Sequence, residues 1–100
     1  LTFTLSGPLT SGTTTTGYSF GSAPGAAVRL YNGSGPGSTG TSFGNLDIAS
    51  GRLLMSKTAS AFGMGWFSKY LPNRLSGFTV YLQVIDANGL LSPVHTETIL

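Results

Sequence analysis

The segment Leu1-Thr-Phe-Thr-Leu-Ser6 alternates apolar and hydroxyl side chains with period two, so Leu1, Phe3 and Leu5 share one face of a strand and Thr2 and Thr4 the other. Gly7-Pro8 ends that strand. The β-branched run Thr13 to Thr16 leads through Gly17 into Tyr18 and Phe20, which predicts a second strand with one apolar face. Ala23-Pro24-Gly25 reads as a turn, and Ala27 to Tyr31 as a third strand with Val28 and Leu30 on one side and Arg29 and Tyr31 on the other. From Asn32 to Gly44 the chain has almost nothing to bury and much backbone freedom to lose, so an exposed, mobile loop is expected over 32–44.

Two short strands, Asn45 to Ile48 and Arg52 to Met55, are expected on either side of a tight Ser50-Gly51 turn. Ser56 to Tyr70 reads as irregular or extended, because Gly63 and Gly65 would each cost about 1 kcal/mol in a helix. The longest strand follows the Leu71-Pro72-Asn73 turn. In Phe78 to Ile85, residues Phe78, Val80, Leu82 and Val84 share one face and Thr79, Tyr81, Gln83 and Ile85 the other, as expected of a strand central in its sheet. Asp86-Ala-Asn-Gly89 supplies a hairpin turn, and Leu91 to Leu100 returns as a last strand interrupted by Pro93.

About seven short strands with turn signals and no convincing helix imply two packed sheets. The expected fold is therefore all-β, a single antiparallel β-sandwich over residues 1–100, of jelly-roll or immunoglobulin-like type, without internal repeats. One core is what a chain of 100 residues can bury.

Charged residues make up only 8% of the chain, against a typical quarter or so, and the basic ones are spread singly for a net charge of +2. Nucleic acid is not an expected partner, since it calls for a dense basic stripe. With no cysteine, neither disulfides nor a thiolate site is available, and no segment approaches the length of a membrane span. The chain opens at Leu1 without Met, which reads as a processed mature protein or an excerpt of a larger one. That start and the Thr/Ser/Gly-rich, weakly charged composition suggest an extracellular or cell-surface location.

Several features of the chain form a recognisable order: Ala-Pro-Gly before a hydrophobic strand, Gly51 after the serine turn, Leu71-Pro72, Leu75-Ser-Gly-Phe-Thr-Val-Tyr-Leu-Gln83, and a closing Leu91-Ser92. This order resembles the small β-sandwich modules of large secreted and surface proteins of planctomycetes and myxobacteria. The resemblance implies export and a sandwich fold and fixes no ligand. Two stretches depart from the pattern: residues 58–70 are longer and richer in aromatics, and the closing strand Val94 to Ile99 is more polar. Either is a candidate for a site specific to this protein.

Reactive chemistry is scarce. A Ser/His/acid triad would have to use His95, with Glu97 two residues away on the same strand face, and no nucleophile-elbow motif accompanies them. Paired carboxylates would have to come from Asp47, Asp86 and Glu97, all of which read as turn or surface residues. Asp86-Ala-Asn88-Gly89 begins like a calcium loop but lacks the remaining ligands, and reads as a hairpin turn. No catalytic residue, metal ligand or cofactor is assigned.

The aromatic group Phe62, Trp66, Phe67 and Tyr70 has two readings: a hydrophobic plug at one end of the sandwich, or exposed rings that stack on a glycan or anchor a protein partner. Asn32-Gly33-Ser34 fits the N-glycosylation sequon, and Thr13, Thr14, Thr15 and Thr16 are candidates for O-linked sugars. The first strand, through Leu1, Phe3 and Leu5, is a candidate for exchange between copies, giving a homo-oligomer or filament. The leading expectation is thus a secreted, self-assembling structural subunit, with a glycan- or protein-binding module as the alternative.

Overall fold

The computed structural model describes all residues from Leu1 to Leu100. Nine strands follow one another: β1 (Thr2–Leu5), β2 (Thr14–Phe20), β3 (Ala27–Gly33), β4 (Gly35–Thr41), β5 (Gly44–Ala49), β6 (Arg52–Thr58), β7 (Gly65–Tyr70), β8 (Thr79–Asp86) and β9 (His95–Thr98). One short 3-10 turn, Asn73–Leu75, stands where the Leu-Pro-Asn turn was expected. The chain is all-β, as the alternating pattern implied.

The strands form a three-stranded sheet ordered β1-β2-β7, a four-stranded sheet ordered β6-β3-β8-β9, and a separate β4-β5 hairpin. All pairings are antiparallel. The two sheets face each other across a core of Phe3, Val28, Leu30, Ala59, Phe67, Leu82 and Val84, the packing of a β-sandwich. Leu9, Leu71 and Ile99 close one end of it.

The hairpin adds a layer on the opposite face of the four-stranded sheet. There Leu46 and Ile48 pack on Tyr31 and Ile85. β8 is therefore central and covered on both faces, which explains why its sequence reads as a nearly continuous run of buried residues from Leu82 to Asp86. Gln83, fully buried, ties the layers together: its Oε1 accepts the Asp47 backbone N–H at 2.8 Å, and its Nε2 donates to the Ser92 carbonyl at 2.8 Å and to Asp47 Oδ2 at 3.1 Å.

Several expectations are corrected. The loop over 32–44 is instead the end of β3 and all of β4, because glycine-rich backbone pairs with β5 and gives Leu46 and Ile48 a partner strand. β5 and β6 flank the Ser50-Gly51 turn, with Ser50 at φ 53°, yet pair with β4 and β3 and not with each other. Phe78 lies before β8 and is exposed. Asp86 is a turn residue, as read, but a buried one: its Oδ1 accepts the Asn88 and Leu90 N–H groups, and Gly89 takes the positive φ of the turn, 81°.

Candidate binding face and inter-sheet cavity

Period two gives each strand of the β1-β2-β7 sheet one inward and one outward row. Phe3 and Phe67 point into the core, so Thr2 and Thr4 on β1, and Trp66, Ser68 and Tyr70 on β7, point out. On β2 the outward row is Thr14, Thr16, Tyr18 and Phe20. The apolar face expected on β2 is thus its solvent face.

Register then assembles these side chains. Thr4, Tyr18 and Trp66 stand opposite one another across three strands, Phe20 pairs with Thr2, and Tyr70 pairs with Thr14. Trp66 and Tyr70 are 54% and 56% exposed and Phe20 is 43% exposed. The Tyr18 and Phe20 rings lie 6.4 Å apart with an interplanar angle of 26°. At about 3.4 Å per residue, Trp66 and Tyr70 span roughly 14 Å along β7. No charged side chain projects from this face; Lys69, the one ionic residue of these three strands apart from tyrosine, takes an inward position opposite Thr15.

The aromatic segment therefore divides. Phe67 is buried against Phe3, with centroids 6.3 Å apart, while Phe62 sits in the 59–64 turn at 95% exposure. Trp66 and Tyr70 are outward on β7. Tyr18 and Phe20, the other half of the platform, were legible as an apolar pair but carried no sign of which way they face.

The inward row of β2 is unusual. It reads Thr15, Gly17, Ser19, with no large apolar residue on the central strand of its sheet. Phe3 leans across Gly17, where a Cβ would lie 2.8 Å from the Phe3 ring, and Ser19 Oγ accepts the Gly65 N–H at 3.2 Å. Below them a cavity of about 110 Å³ remains between the sheets, lined mainly by apolar side chains such as Leu30, Leu54, Met55, Val80 and Leu82. The space is partly open to solvent, with Leu54, Met55 and Val80 half-buried and Lys69 exposed along its lining.

The remaining sequence candidates lie apart from both features or on their margins. His95 Nε2 and Glu97 Oε1 are 3.4 Å apart on β9, Glu97 Oε2 accepts the Leu9 N–H at 3.0 Å, and the His95 ring meets Phe3 edge-on. They are half-buried on the inward side of β9, not on a fully solvated face, and no serine or threonine hydroxyl bonds to His95. Asp47 lies on β5 and Asp86 at the far end of β8, so the three carboxylates do not converge, and no cluster of three metal-ligating side chains forms.

Leu1 and Leu5 are half-buried against the core and Phe3 is within it, with β1 in its own sheet. Asn32 is half-buried, its Oδ1 accepting the Tyr81 N–H at 3.2 Å. Thr13 and Thr14 are exposed, whereas Thr15 and Thr16 are half-buried. Arg29 lies under the hairpin, its guanidinium carbon 4.0 Å from the Phe43 ring centre and its Nη1 donating to Ser42. No helix is long and apolar enough to cross a membrane. No protein family, curated protein or solved structure matches this chain.

Proposed function

We propose that this chain is an exported, non-catalytic binding module whose β1-β2-β7 face docks a neutral glycan. The observation that carries the reading is an uncharged platform of Tyr18, Phe20, Trp66 and Tyr70 bordered by the hydroxyls of Thr2, Thr4, Thr14, Thr16 and Ser68. Aromatic faces carry negative quadrupole charge and attract the partly positive C–H groups of a pyranose ring, while threonine and serine hydroxyls exchange hydrogen bonds with sugar hydroxyls. The absence of fixed charge on the platform selects against acidic polymers. The placement of Asp47, Asp86 and Glu97 on three different strands, β5, β8 and β9, supports a binding role over hydrolysis.

Affinity electrophoresis through gels containing neutral or acidic polysaccharides tests the reading. Retardation by at least one neutral polysaccharide, reduced at least tenfold in affinity by Trp66→Ala with unchanged circular dichroism, is the expected result. Migration unaffected by every neutral polysaccharide, or retardation insensitive to Trp66→Ala, rejects it. The competing reading, a filament built by exchange of β1, draws on the short edge position of that strand. It predicts fibres in negative stain that disappear when residues 1–6 are deleted.

A further inference from the structure

We infer that the cavity between the two sheets is a second binding site, for a small carboxylate with a short apolar tail, independent of the aromatic face. The cavity has a sequence cause. Three successive inward positions of β2, the central strand of its sheet, are Thr15, Gly17 and Ser19, where close packing of the interior calls for branched apolar side chains. A space lined largely by apolar atoms does not retain water well and admits an apolar guest.

The volume limits the guest. About 110 Å³, set against the roughly 150 Å³ that accommodates a benzene ring, holds a tail of about four or five carbons. The polar groups on the lining limit its head. Lys69 takes the inward register position opposite Thr15 and lines the cavity while its side chain stays exposed to solvent, so its ammonium is open to a ligand arriving from outside. No carboxylate lines the cavity: the single ion pair joins His95 to Glu97, and Asp47 and Asp86 are elsewhere. An anionic head at Lys69, with its tail between Leu54, Met55 and Val80, meets a cation that no acidic side chain of the protein neutralises.

Methyl-resolved NMR with pentanoate and pentan-1-ol as probes tests this on the intact chain. Both should give saturable shifts of the Leu54, Met55 and Val80 methyls, with pentanoate binding about fivefold tighter at neutral pH. Lys69→Gln should abolish that preference and leave the affinity for pentan-1-ol unchanged. Val80→Phe, which fills the space, should remove both ligands; if that variant unfolds, the Lys69→Gln comparison decides. Absence of saturable methyl shifts, shifts centred on Trp66, or a preference for pentanoate that survives Lys69→Gln each overturns the proposal. None of these readouts depends on glycan binding, so the two sites fail or stand separately.

Discussion

The two central strands, β2 and β8, occupy equivalent places in facing sheets and are built on opposite plans. β8 is enclosed on both sides, Leu82 and Val84 toward the facing sheet and Ile85 toward the β4-β5 hairpin, with buried Gln83 donating to the Ser92 carbonyl and Ser92 Oγ accepting the Val84 N–H. β2 keeps its large side chains, Tyr18 and Phe20, on the outer face and presents small residues inward over a cavity. Hydrophobic burial concentrated on β8 leaves β2 free to carry surface. The four-stranded sheet holds the fold, the three-stranded sheet carries the aromatic face, and the cavity lies between the two.

That contrast can be broken first at two adjacent residues of β7. Phe67→Ala should lower stability by about 3–5 kcal/mol, since it removes a core ring beside an existing cavity, whereas Trp66→Ala should stay within about 1 kcal/mol. Urea denaturation of the pair measures the difference, and equal losses would mean that the outer platform is also a packing element. Gln83→Ala should cost about 2–3 kcal/mol, because it strands the Asp47 N–H and the Ser92 carbonyl that Gln83 now satisfies. Thermal melts report it at roughly 4–8 °C per kcal/mol for a domain of this size.

Smaller changes probe the inner row of β2. Gly17→Ala should cost about 1–3 kcal/mol, as the new methyl meets the Phe3 ring and forces it aside. Thr15→Val, which exchanges a half-buried hydroxyl for a methyl on the cavity wall and so adds apolar contact there, should raise the melting midpoint by an amount equivalent to about 0.5–1 kcal/mol. A loss on Thr15→Val would mean that the hydroxyl takes part in the fold. A gain, coupled to weaker pentanoate binding, would tie the small inner row to the ligand.

Much of this architecture is legible along the chain. The period-two runs of Leu1 to Leu5 and Val80 to Ile85, and the Asp-Ala-Asn-Gly turn, have local causes: alternation, β-branching, and a glycine that accepts positive φ at little cost. The hairpin layer was not legible. Gly35 to Thr41 has no apolar periodicity, and it becomes a strand because Thr39 Oγ1 accepts the Gly51 N–H and donates to the Ile48 carbonyl while β5 packs on Tyr31. Nor was the direction of the aromatics. Phe62, Trp66, Phe67 and Tyr70 are close in sequence, yet alternation sends Phe67 inward and Trp66 and Tyr70 outward, and the turn leaves Phe62 in solvent.

By itself the sequence determined the class of fold, the positions of most strands and turns, and the scarcity of ionisable groups, because each of these rests on neighbours in the chain. Only the tertiary structure decided which face of each strand meets the core, and with it the fate of every candidate residue. Alternation defines two faces of a strand without assigning either to the interior; that assignment comes from the sheet packed opposite. For β2 the facing sheet met Thr15, Gly17 and Ser19, and left Tyr18 and Phe20 beside Trp66 in solvent.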